Sequence, residues 1–235
     1  MLFNTLDFLI FLPIVFGLYW LPDKKDWWQN AVVVGASLFF YAYWDWRVLG
    51  LFVGSIVFTM FVARIIAKLA EMGGGKKKWL IIAIVVLLSI LGIFKYYNFF
   101  IDSLSTVVPL TSTFHLNLIL PLGISVYTFM CISYLVDTKN GLIPHPSTST
   151  STILSTFSYL SFFPQIIAGP IGRGHQMLPQ FSAPRRFKYE QGMEGVRLII
   201  YGLFKKMVVA DLLALYVNFA FKNAELYWAS RVRAY

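Results

Sequence analysis

The chain has 235 residues, 58% of them hydrophobic and only 13% charged, with a mean hydropathy of +0.67. Soluble domains carry about 25% charged residues, so this chain cannot cover a water-facing surface, and its solvent is lipid. Its net charge of +9 is clustered between apolar runs, which fits membrane topology and anionic headgroups rather than nucleic acid.

A helix needs about 20 apolar residues to cross a bilayer, and the chain offers several such runs. The N-terminal "MLFNTLDFLIFLPIVFGLYWLP" lacks a basic n-region and a small-residue cleavage site, so it reads as a retained first span. That span covers Leu6 to Leu21, with Pro13 inside and Pro22 closing it. The loop "DKKDWWQ" follows, its paired tryptophans suited to an interface. Asn30 to Trp44 predicts a second span and Val48 to Leu69 a third. "EMGGGKKK" predicts a loop, because three glycines break the helix and three lysines stay in water. Trp79 to Phe94 predicts a fourth span, ending in the aromatic "FKYYNFF". Leu104 to Leu116 is a polar, Ser/Thr-rich connection. Leu118 to Val136 is a fifth apolar run, interrupted by Pro121 and Gly123, and "DTKNGLIPHPSTSTST" is a second flexible loop. Ile153 to Ile171 is apolar yet broken by Pro164, Gly169 and Pro170. After the basic, amphipathic "PRRFKYEQG", the last apolar run covers Val196 to Phe221. Lys205 and Lys206 lie inside it: either they snorkel to headgroups or, the favoured reading, the run is two elements, one of them lying at the interface. Asp211 stands five residues after Lys206, a poor spacing for an ion pair on a helix.

Basic residues set the orientation. Arg64, Lys68, Lys76, Lys77 and Lys78 place the third-to-fourth loop in the cytoplasm, which puts the N-terminus outside. Counting forward, Lys139, Arg173, Arg185, Arg186 and Lys188 share the cytoplasmic side. The segment Ile153 to Ile171 must then enter and leave on one side, as a re-entrant hairpin turned by Pro164 and the Gly-Pro pair. Such backbone is tolerated at membrane depth only inside protein or beside a water-filled cavity. The organisation expected is a single all-α, polytopic membrane domain over 1–235, with cytoplasmic loops near 70–78, 138–151 and 173–194, in the cytoplasmic (inner) membrane.

Few residues offer chemistry. The single Cys131 lies in an apolar run, has no internal disulfide partner and packs as a small hydrophobe. His115 and His145 lie in polar loops and read as solvated. His175 sits at a membrane boundary and suits interfacial hydrogen bonding. Asp137, in "YLVDTKNG", reads as a helix cap or as the charge partner of Arg173 or another basic residue. No Ser–His–Asp set, acid pair or metal cluster can be assembled from these residues.

The stretches "SLFFYAYWDWRVL", "FKYYNFF", "LPLGISVYTFMCISYLVDTKNG", "FFPQIIAGPIGR" and "GLFKKMVVAD", in this order, resemble the membrane-bound O-acyltransferases, in their bacterial alginate O-acetyltransferase-like branch. "PLGISVYTF" followed at this distance by "FFPQIIAGPIGR" is the specific part. The resemblance implies a ring of transmembrane helices around a funnel that thins the membrane. It implies transfer of an acetyl or other acyl group from a cytoplasmic thioester donor, acetyl-CoA or an acyl-carrier protein, with no bound cofactor. The acceptor it implies is the hydroxyl of an alginate-like polysaccharide outside. Pro164, Gln165, Gly169, Pro170 and Arg173 then belong to the motif that shapes the cytoplasmic funnel, and the Arg173 guanidinium suits the phosphate of a donor.

The family's essential histidine, which follows a "YFDFSGYSD"-like motif, has no counterpart here. The expectation is therefore a partial ring, a truncated product inactive alone, because acyl transfer needs a base beside the attacking oxygen and walls around both substrates. The partners expected are the lipid bilayer, the polysaccharide acceptor, and an extracytoplasmic acyltransferase or a separately encoded second half. A non-enzymatic remnant or scaffold is the alternative reading. A small transporter is a third, disfavoured by sparse intramembrane charge and the lack of an inverted repeat.

Overall fold

A computed structural model describes residues 3, 5–21, 26–105, 118–143 and 149–223. Among them every regular element is a helix, as the composition requires of a chain dissolved in lipid. Two continuous helices, Trp46–Glu71 and Lys76–Ser103, are long and apolar enough to cross a membrane, and Leu6–Trp20 is a shorter apolar helix. The protein is an all-α membrane protein. His115 and His145 lie outside the described residues, as does most of the expected polar connection, from residue 106 onward.

The chain divides into two compact units. The first covers residues 12–185 and holds the core. Helix α1 (Leu6–Trp20) leads into it. Helix α2 runs Asp26–Trp44, four residues earlier than Asn30. The "DWWQ" stretch expected in a loop is thus the first turn of α2. Asp26 there complements the positive end of the helix dipole, and Trp28 Nε1 donates to Leu18 O at 2.9 Å. Asp45 caps the short turn Trp46–Val48 by accepting the Arg47 N–H at 2.9 Å. The Arg47 guanidinium reaches back in a fork, and these hydrogen bonds hold the Asp45 carboxyl below the usual carboxylate range.

Helix α3 (Leu49–Glu71) and helix α4 (Lys76–Leu91) are joined at the glycine-lysine turn, with the lysines exposed in the first turn of α4. "FKYYNFF" does not end this span. A π-helical turn at Gly92–Tyr96 carries it into α5 (Tyr97–Ser105). That turn places Lys95 where its Nζ donates to Ser125 Oγ, 3.0 Å away on the next helix.

Only part of the run Leu118 to Val136 is helical. Residues 118–123 are non-helical, and helix α6 covers Ile124–Lys139. Gly123 sets that boundary with a φ of +64°, and its N-cap position leaves no room for a side chain. A Cβ there would stand 2.4 Å from Ile166 O. The two sequence pieces that carry the resemblance, "PLGISVYTF" and "FFPQIIAGPIGR", therefore meet in space. Helices α3 and α6 lie side by side and parallel, with Phe52 edge-on to Tyr127 at 5.1 Å. Buried Ile56, Ala63, Ile66, Tyr127, Met130, Cys131 and Leu135 fill the seam. Cys131 is free and fully buried, as its apolar setting predicts.

The broken segment forms a hairpin with three pieces. Helix α7 (Thr150–Ser161) runs parallel to α2, since Ser158 Oγ donates to Asn30 O at one end and Phe163 N to Ser37 Oγ at the other. The chain breaks at Phe162, whose ψ of 101° is outside the helical range, and Pro164 opens the short helix α8 (Phe163–Ala168). Residues 169–173 are extended. Helix α9 (Gly174–Ser182) then returns, bringing Phe181 back beside Ser155. The return arm thus lies beyond Ile171, so the hairpin is longer than the segment expected. The loop expected near 173–194 is largely helix as well: α9 and the start of the following helix occupy it.

The second unit joins residues 3–11 with residues 186–223. Here α10 (Tyr189–Phe204), a π-helical turn (Lys205–Ala210) and α11 (Asp211–Lys222) form one continuous helix. At about 1.5 Å per residue it is roughly 50 Å long. Lys205 and Lys206 thus do not separate two elements. The π-turn also corrects the expectation for Asp211. An i→i+5 repeat aligns residues five apart, and Lys206 Nζ donates to Asp211 Oδ1.

Gly123→Ala tests the joint between α6 and α8. A left-handed alanine costs about 1–2 kcal/mol and forced overpacking about 1–3 kcal/mol. The variant should lose about 3 kcal/mol of stability, read as a lowered unfolding midpoint in detergent.

Candidate functional site

The extended strap 169–173 is the unusual feature of the first unit, because its carbonyls have no helix to satisfy them. Side chains do so instead. Gln165 Nε2 donates to Pro170 O at 2.6 Å, and Tyr159 OH donates to Gly172 O at 2.8 Å. Gly172 has no space for a Cβ, which would meet Gln165 Nε2 at 2.5 Å and Met177 Cγ at 2.9 Å. The glycines of "AGPIGRG" thus let the strap lie against Gln165 and the start of α9.

The third fastening comes from a carboxylate. Asp137, near the end of α6 and 6% exposed, directs one oxygen at the first turn of α9. Asp137 Oδ2 accepts the His175 backbone N–H at 3.0 Å and pairs with His175 Nδ1 at 3.0 Å. Since a carboxylate only accepts, Nδ1 carries the proton. Both readings of Asp137 hold in part: it acts as a cap, and its basic partner is not Arg173. It uses His175, and it caps α9 with the same oxygen. Gly174 makes this approach feasible, because a Cβ there would stand 2.8 Å from Ile143 Cδ1 and 3.3 Å from Asp137 Oδ2.

The five residues of the expected funnel motif are thereby placed. Pro164 starts α8, and Gln165 is buried with its amide on the strap. Gly169 ends α8, and Pro170 presents its carbonyl to Gln165 while its ring is exposed. Arg173 is the N-cap residue of α9, exposed, and its side chain has no hydrogen-bond or ion-pair partner among the described residues. Gln165 Oε1 is buried and unsatisfied among the described residues. No three His, Cys, Asp or Glu side chains gather as a metal site among the described residues.

A second polar cluster, which no sequence motif marks, ties the hairpin to α2. Asn30 is 1% exposed. Its Nδ2 donates to Ser155 Oγ at 3.0 Å and Phe181 O at 2.9 Å. Arg185 Nη2 donates to Asn30 Oδ1 at 2.6 Å, and the guanidinium lies 5.5 Å from the centre of the Tyr19 ring. In the sequence Arg185 marks only a topological charge and Asn30 the start of a span. An asparagine facing an otherwise apolar seam was the available signal.

Known proteins agree with the resemblance. The chain is 38% identical to the peptidoglycan O-acetyltransferase of Helicobacter pylori, over 95% of its own length and 47% of that protein's. It is 34% identical to the probable alginate O-acetylase AlgI of Pseudomonas aeruginosa, over 94% of the chain and 42% of the relative. It is also 34% identical to the probable alginate O-acetylase AlgI of Azotobacter vinelandii, over 91% of the chain and 42% of the relative. The chain is a homologue of these O-acetyltransferases. It spans less than half the length of these relatives. The resemblance to the membrane-bound O-acyltransferases, drawn from the two motifs that meet at Gly123 and Ile166, is borne out by these relatives. No family model and no solved structure matches the chain.

Asn30→Leu tests the second cluster. It leaves Arg185 half-buried without its side-chain acceptor, at a cost of about 2–3 kcal/mol. The expected outcome is a lowered unfolding midpoint and faster proteolysis between α9 and α10.

Proposed function

We propose that this chain forms the donor-side wall of a membrane O-acyltransferase, in which an acetyl group passes from a cytoplasmic thioester to a polysaccharide hydroxyl outside. The relatives named above act on peptidoglycan or, as their names state, probably alginate. Their shared chemistry is O-acetylation, and an envelope polysaccharide is the acceptor we assign. The orientation, with the N-terminus outside in the cytoplasmic membrane, follows from the basic residues of the third-to-fourth loop.

One observation carries the assignment of the donor side. The Arg173 side chain is exposed and has no partner among the described residues, on a strap fastened by Gln165, Tyr159 and Asp137. A strap held at three points gives its guanidinium a fixed base, and guanidinium matches phosphate oxygens in pairs. A thioester donor built on phosphopantetheine carries such a phosphate. The strap lies in the expected cytoplasmic part of the chain, where such donors are found. The attacking base and the acceptor site are assigned to no residue among those described.

In the membrane-bound protein, Arg173→Ala should raise the KM for acetyl donor about tenfold, since one charge-assisted hydrogen bond contributes about 1.5–3 kcal/mol. The rate at saturating donor should change little. Polysaccharide acetylation assayed against donor concentration reads both. An unchanged donor KM would remove Arg173 from the site.

A further inference from the structure

The Asp137–His175 pair is more than a fastening. Asp137 Oδ2 holds Nδ1 of the imidazole at 3.0 Å and the backbone N–H of the same residue at 3.0 Å. The ring is therefore fixed at two points, with its tautomer set by the carboxylate. The other nitrogen, Nε2, has no partner among the described residues, and the side chain is 29% exposed. A carboxylate behind an imidazole stabilises the imidazolium, and in that form Nε2 is a hydrogen-bond donor carrying positive charge. Two residues earlier stands Arg173, its side chain exposed and without a partner among the described residues.

The start of α9 itself has little left to offer an anion. Asp137 already takes the His175 N–H, and the N–H groups of Gln176 and Met177 both bond Arg173 O. Attraction for a negative ligand must come from side chains. We propose that His175 Nε2, oriented by Asp137, joins Arg173 in a two-point site for the phosphate of the acyl donor. This rests on the donor-side reading above and adds to it a second binding group.

The groups facing His175 are few. Asp137 is the charged group in contact. Tyr134 of the same helix borders Gly174, and the Tyr159 hydroxyl of α7 is already bonded to Gly172 O. Lys139 follows at the end of α6, and Arg173 adjoins on the strap.

The test measures binding of coenzyme A to the detergent-solubilised protein at pH 6 and pH 8. His175→Asn retains a donor where Nδ1 stood, so the bond to Asp137 survives while Nε2 is removed. At pH 6 this variant should bind coenzyme A about tenfold more weakly than wild type, with an unchanged unfolding midpoint. Arg173→Gln should bind weakly at both pH values. Running 4′-phosphopantetheine alongside distinguishes a nucleotide-bearing donor from a carrier-borne one, and His175-dependent binding of either supports the site. If His175→Asn binds like wild type at pH 6 while Arg173→Gln does not bind, the two-point site is wrong and the donor-side reading stands on Arg173 alone. If Arg173→Gln also binds like wild type, both fall.

Discussion

Non-helical backbone in a protein dissolved in lipid must find its hydrogen bonds within the protein, because the solvent supplies none. The rest of the first unit is arranged around that constraint at the strap 169–173. Gln165 and Tyr159 take the two carbonyls, and Asp137 takes an N–H at the start of the returning helix. These three side chains come from α8, α7 and α6. The strap is therefore the point at which the hairpin is locked to the bundle. The glycines follow from the same constraint, since side-chain amides and carboxylates can reach the backbone only where no Cβ stands between them. Gly172 and Gly174 are packed within van der Waals limits by the very residues that bond the strap or border it.

Much of this was legible in the residues. Apolar length marked the helices, and Pro164 with the Gly-Pro pair marked the break. Basic clusters implied that the hairpin returns to its own side, and the returning Phe181 beside Ser155 agrees. The errors have physical causes. Tryptophans at an interface suit a loop or a first helical turn equally, so "DWWQ" was placed outside α2. "FKYYNFF" looked like a terminus because aromatic residues gather at interfaces, yet a helix can continue past one by inserting a π-turn. Asp137 and His175 are 38 positions apart, and no local pattern links them. Their pairing depends on how closely the strap approaches α6, which Gly174 decides.

The two π-turns show how a helix changes which residues share a face. An α-helix sets residues three and four apart side by side. One wider turn moves that alignment to five, and it shifts everything beyond it around the axis. At Gly92–Tyr96 the shift points Lys95 at Ser125 on α6. At Lys205–Ala210 it pairs Lys206 with Asp211, which removes most of the electrostatic penalty of two charges in an apolar rod. The sequence "KKMVVAD" has the spacing of a π-turn, and its charges read as misplaced only against an α-helical period.

The two polar clusters of the first unit differ in what they leave free. At Asn30 the amide donates to Ser155 and Phe181 and accepts from Arg185, so each of its polar atoms is used. That is the pattern of a structural tie, and its charge is spread over an amide, carbonyls and the Tyr19 ring. At the strap side chains take the carbonyls of Pro170 and Gly172, but two side chains that border it are left open. The Arg173 guanidinium and His175 Nε2 remain without partners among the described residues, beside a buried carboxylate that has already been used. This part of the fold has separated support from binding. The supporting bonds come from Gln165, Tyr159 and Asp137, and the open groups are those whose charge an incoming phosphate would complement.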